Sequence, residues 1–144
     1  GPSGKAARSY EEINKFTDVE RWKKAIDPAY AQAMQACAPP EVKPGRLGVK
    51  VSIDMPGEGE VARCGQPLAL HVARWDAHGN ITREKDITFV LGQSGVPGLD
   101  AALMETKPGE ARTLTLLPQT VAKESPFRVL VVAGQVNLLT VTRR

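Results

Sequence analysis

The chain has 144 residues, a mass of 15.5 kDa and a formal net charge of +3, with a pI near 9.0. That length suits one domain with an appendage, and a core that needs no metal or disulfide staple. Hydrophobic residues at 42% and charged residues at 24% exclude wholesale disorder, and no apolar run approaches the roughly 18–20 residues of a membrane-spanning helix.

Gly1-Pro2-Ser3-Gly4 reads as a protease-cleavage and linker scar. Residues 5–44 then form an N-terminal helical extension and linker, and residues 45–144 the main body. Up to Lys24 the basic side chains Lys5, Arg8, Lys15, Arg21, Lys23 and Lys24 alternate with Glu11, Glu12, Asp18 and Glu20. This is a mixed-sign surface without the basic stripe and interleaved aromatics of a nucleic-acid binder. Thr17 followed by Glu20 is a capping box that starts a helix over 17–37. Val19, Trp22, Ile26, Tyr30, Met34 and Cys37 step by three or four and line one face of it. Pro28 makes the segment either one kinked helix or two short helices meeting at Asp27. The apolar stripe is expected to pack on the rest of the chain or on a second copy. Ala38-Pro39-Pro40 ends the helix, and a linker runs to Gly45.

From there the period changes to two. Leu47, Val49, Val51 and Ile53 predict a half-buried strand, and residues 55–60 a turn. A short strand is expected at 60–64 and another from Leu68 to Trp75. Asp76-Ala77-His78-Gly79-Asn80 is a hairpin turn leading to a strand at 85–91. Pro97 to Thr106 is a short helix. Strands at 111–117, 128–133 and 136–142 complete the body, the last two joined by a tight hairpin at Gly134-Gln135. The result is an α+β design, mostly antiparallel.

Catalytic constellations are sparse. His71 alternates to the face opposite Leu70 and Val72, and Asp76 with His78 reads as turn chemistry, not a metal pair. Ser52, Ser94 and Ser125 lack a nucleophile-elbow context, and no phosphate-binding glycine loop occurs. No catalytic residue, metal ligand or cofactor is assigned. Cys37 and Cys64 are either one disulfide or two buried thiols.

One stretch is specific. Phe89-Val90-Leu91-Gly92 is followed by Val96-Pro97-Gly98-Leu99-Asp100-Ala101-Ala102-Leu103, then by Gly109-Glu110 and by Leu114, Leu116, Leu117 and Pro118. This resembles the FKBP-type peptidyl-prolyl isomerases, with Gly65, Leu68, Leu70, His71 and Gly79 echoing the family's opening motif. The resemblance covers about residues 60–142. It implies a curled antiparallel sheet of five or six strands around the short helix, and a pocket that takes a proline between aromatic walls. Phe89 fits such a pocket, and Leu99 stands at its floor. Val72 replaces the tyrosine after the histidine, Ile81-Thr82-Arg83 lacks the Phe-Asp pair, and Lys123 stands where another tyrosine belongs. The candidate pocket is therefore Val72, Phe89, Val96 and Leu99, without most of the family's aromatic and acidic groups.

Prolyl isomerisation requires tighter binding of the twisted amide than of the planar one, against a barrier of about 18–20 kcal/mol. The expectation is a polypeptide-binding or assembly module of chaperone type with weak or absent isomerase activity. The alternative is an active isomerase with a non-standard pocket. The partner is a polypeptide, with no nucleic acid and no membrane span, and the oligomeric state is open. A bacterial, periplasmic location is expected from the trimmed N-terminus and a possible Cys37–Cys64 bridge.

Overall fold

The computed structural model of the protein describes residues 48–144. The helix expected at 17–37, its apolar stripe and Cys37 lie outside the described residues. The body contains β1 (Val49–Met55), β2 (Pro67–Trp75), β3 (Ile81–Val90), α1 (Leu99–Leu103), β4 (Ala111–Leu116) and β5 (Asn137–Arg143). The strands make one antiparallel sheet in the order β1-β4-β5-β2-β3, curled around α1. Among the described residues five strands form, at the lower end of the range expected.

Register fixes which side chains share a face. Leu70 lies opposite Ile87 and Arg143, Val72 opposite Val141, and Leu114 opposite Val51 and Leu139. With Leu68, Phe89 and Leu116 they form the inner face. Apart from Arg143 and the half-buried Val51, they are buried in one cluster with Leu99, Ala102 and Leu103 of α1. α1 is short because it is bounded on both sides. Gly98 caps its start at φ 83°, a left-handed backbone that a side chain would strain, and Met104 returns to extended geometry. The expected 97–106 helix is thus only its central turn.

Two expected strands do not form. Residues 60–64 are a loop, in which the Arg143 guanidinium donates to the Glu60 carbonyl and backbone pairing with another segment is confined to Ala62. Its amide bonds to the Thr106 carbonyl at 2.8 Å and its carbonyl accepts from the Glu105 amide at 2.9 Å. One paired residue is too few for a ladder. The loop's approach is held close at Gly57, where a Cβ would fall 2.3 Å from the Pro108 carbonyl oxygen. Residues 128–133 are turn and loop as well, and the Gly134-Gln135 hairpin disappears with them. The amides of Leu130 and Val131 bond back to the Phe127 carbonyl at 2.9 and 2.8 Å. Phe127, Leu130 and Val131 are buried, whereas Arg128 and Val129 are exposed. Their spacing of three and four follows a helical turn, and an alternating reading of the stretch misses it. Asn137 closes this loop with its side chain, accepting from the Val132 amide and donating to the Val132 and Gln135 carbonyls.

β3 begins at Ile81, four residues earlier than expected. The hairpin before it is held by Asp76, whose Oδ1 accepts from the amides of His78 at 2.9 Å and Asn80 at 3.0 Å. These bonds, that from Asn80 foremost, hold the Asp76 carboxyl below its ordinary value.

Candidate functional site

α1 and the segment before it are positioned by two groups of buried polar side chains. Asp100, in the first turn of α1, turns back on the loop it follows. Its Oδ1 accepts from the amides of Gly92 at 2.7 Å and Ser94 at 3.1 Å, and its Oδ2 accepts from the Ser94 hydroxyl at 2.6 Å. Burial nevertheless pushes the Asp100 carboxyl above its ordinary value, because the hydrogen bonds offset only part of the lost hydration. At the other end of α1, Arg112 of β4 donates to the carbonyls of Ala102 at 2.9 Å and Met104 at 3.2 Å and pairs with Glu110. Both members of this ion pair are buried. The guanidinium satisfies helix-end carbonyls that would otherwise lack partners.

Over this frame lies a cleft of about 360 Å³, walled by Gly95, Val96, Pro97 and Asp100 on one side and Thr120, Val121 and Ala122 on the other. Its two walls meet at Gly95. The Ala122 amide donates to the Gly95 carbonyl at 2.9 Å, and the Ser125 hydroxyl donates to the Ser94 carbonyl. A Cβ at Gly95 would sit 2.9 Å from that of Ser125, so a side chain there would push the wall away.

Of the four candidate pocket residues, Val96 borders this cleft. Val72 and Leu99 are 0% exposed, Val96 1% and Phe89 8%, and all four belong to the inner-face cluster. Phe127 joins them, fully buried, with its ring edge-on to Phe89 at 5.0 Å between centroids. Arg83 is an exposed residue of β3 opposite Arg74, and Lys123 is exposed in the turn beyond the cleft.

Sequence reasoning passed over Asp100, Arg112, Glu110 and Phe127 as site-forming groups. Asp100 was legible in part. A lone carboxylate amid Leu99, Ala101, Ala102 and Leu103 has an apolar neighbourhood in any helix, so it needs local donors. The role of Phe127 was hidden by the reading of 128–133 as a strand.

Solved structures share this arrangement. AtFKBP13 superposes with a TM-score of 0.50 at 19% identity, covering 67% of this chain and 90% of its own. The fold is FKBP-like. The N-terminal domain of FKBP42 from Arabidopsis thaliana gives a TM-score of 0.49 at 21% identity, covering 67% of this chain and 84% of that one. The three FKBP domains of wheat FKBP73 give 0.47 at 15%, over 67% of this chain and 43% of that one. No protein-family model matches the sequence, and no curated protein does. At these identities the likeness is one of fold, and the FKBP-like body must be read for function from its own side chains.

Proposed function

We propose that this FKBP-like chain is a polypeptide-binding module of chaperone or assembly type that does not accelerate prolyl isomerisation appreciably. The observation that carries this reading is the burial of Val72, Phe89 and Leu99 in one cluster with Phe127. In this reading Phe127 takes up the apolar volume a substrate proline would need. A twisted prolyl amide is then held no better than a planar one, and equal binding of ground and transition states gives no rate enhancement of the bound step. Arg83 and Lys123 supply neither the carboxylate nor the aromatic wall that the resemblance calls for.

A proline-limited refolding assay tests it. The expected result is a slow phase unchanged by the protein at micromolar concentration, with no tight binding of macrolides. A robust acceleration that vanishes in Leu99→Ala, with the fold intact, would establish the isomerase alternative.

The proposal extends to a Cys37–Cys64 bridge, which places the protein in an oxidising compartment such as a bacterial periplasm. Cys64 lies in the exposed turn before β2. A loop of that size would contribute about 3–4 kcal/mol by chain entropy. Counting thiols on unreduced, denatured protein decides the matter, since two free thiols per chain would end it.

A further inference from the structure

The outer face of the sheet is drier than its described surroundings explain. Thr113 and Thr115 of β4, Leu138 of β5 and Trp75 of β2 are 3%, 2%, 1% and 7% exposed. Register places all of them opposite to the inner cluster. Thr115 is beside Leu138, and Leu138 beside Trp75. α1 contributes its apolar residues to the inner cluster, while Ala73, Trp75 and Leu138 form a second cluster of their own. A single sheet face with no layer over it leaves threonines in water. These are not.

We propose that residues 17–37 of the same chain are the layer on this face, with Val19, Trp22, Ile26, Tyr30 and Met34 turned down onto Trp75, Leu138 and Thr115. The dimensions agree. Twenty-one residues of helix, kinked or divided at Pro28, span at most about 31 Å, against the roughly 30 Å of the nine-residue β2. The linker enters the sheet at Val49. That residue is opposite Leu116, whose other neighbour is Asn137, at the end of the sheet where Leu138 meets Trp75. Residues 38–48 can reach about 36 Å when extended, enough to turn the helix back across the whole face. Beside the dry patch is a depression of about 390 Å³ with Met55, Ala73, Trp75 and Ile81 among its walls, an apolar margin to the face.

The chain has two tryptophans, so replacing Trp22 leaves Trp75 as the sole indole and a reporter of this face. The test compares full-length Trp22→Phe with Trp22→Asp. Trp22→Phe keeps the apolar stripe and is expected to show blue-shifted Trp75 emission with weak acrylamide quenching. Trp22→Asp is expected to shift that emission to the red and raise quenching at least three-fold, independent of protein concentration. Equal emission and quenching in the two variants would overturn the proposal. A red shift of Trp22→Phe on dilution would also overturn it, because the covering segment would then belong to a second copy. Should Trp22→Asp fail to fold, hydrogen exchange of full-length Thr115→Glu decides. Amides of 17–37 should exchange at least ten-fold faster than in the unsubstituted chain while β4 and β5 stay protected. Unchanged exchange with the sheet intact would refute the docking.

Discussion

The inner face of the sheet buries Leu70, Val72, Leu114, Leu116 and Val141 with α1 and Phe127, whereas the outer face buries Trp75, Leu138, Thr113 and Thr115. The inner side is an apolar core, finished by polar groups that clamp α1. The outer side mixes two threonines and an indole whose Nε1 donates to the Thr140 hydroxyl at 2.9 Å. A core built of large aliphatic residues tolerates little change. A mixed face is easier to uncover, and it suits a contact between two pieces of structure that form separately.

That contrast can be broken by substitution. Phe127→Ala removes the largest fully buried side chain of the inner face and should cost about 3–5 kcal/mol, read as a lowered urea midpoint. A loss below about 1 kcal/mol would mean that Phe127 does not fill the core. Arg112→Met, at the α1 clamp, leaves the Glu110 carboxylate buried without its partner, and about 3 kcal/mol should go with it. Thermal melting checks this, and Arg112→Met combined with Glu110→Gln should recover part of the loss.

Asp100→Ala orphans three donors of the 92–94 loop and should cost about 2–3 kcal/mol. The pH dependence has a definite sign. With its folded value raised above 3.8, Asp100 binds its proton more tightly in the folded state. Its contribution to stability is therefore full below pH 3.8 and is lost as pH rises through the folded value. Asp100→Asn should abolish that fall. A pH profile of urea midpoints that matches the unsubstituted chain would contradict it. On the outer face, Trp75→Phe loses the bond to Thr140 and should cost only about 1 kcal/mol.

The smallest effect belongs to His71. Its Nδ1 and Nε2 each lie 2.9 Å from a carboxylate oxygen, of Asp86 and Glu84 respectively. Both nitrogens can donate only when the ring is protonated. The bond from His71, followed by that from Arg144, holds the Asp86 carboxyl below its usual value. Both carboxylates are exposed, so His71→Gln should lower the thermal midpoint only slightly at low salt and not measurably at high salt.

Much of the body was legible in sequence because its strands alternate cleanly. Leu68, Leu70 and Val72 carry β2, and Leu114 and Leu116 carry β4. The same alternation made the face of His71 readable. What misled was local pattern without a partner. Residues 60–64 have the composition of a strand but only one residue with a ladder bond. Residues 128–133 are rich in valine, yet Phe127, Leu130 and Val131 obey the spacing of a turn of helix. The candidate pocket residues were named by motif, and motif carries no information about Phe127, which arrives from 38 positions further along than Phe89. Buried polar clamps such as Arg112 and Asp100 depend on tertiary neighbours, and a linear reading sees only a charge.

β3 forms one edge of the sheet, and its residues from Ile81 to Asp86 are all exposed, with Arg83, Glu84, Lys85 and Asp86 in succession. Four consecutive ionised side chains surround that row of backbone amides and carbonyls on both sides. An incoming extended segment would have to strip water from charges of both signs before making its first ladder bond. This border is insulated against growth by strand addition, whereas the opposite edge, β1, carries only Lys50 and Asp54 as charged residues among its seven. Any polypeptide client recognised along β3 must be met by side chains, with the backbone left out of the bargain.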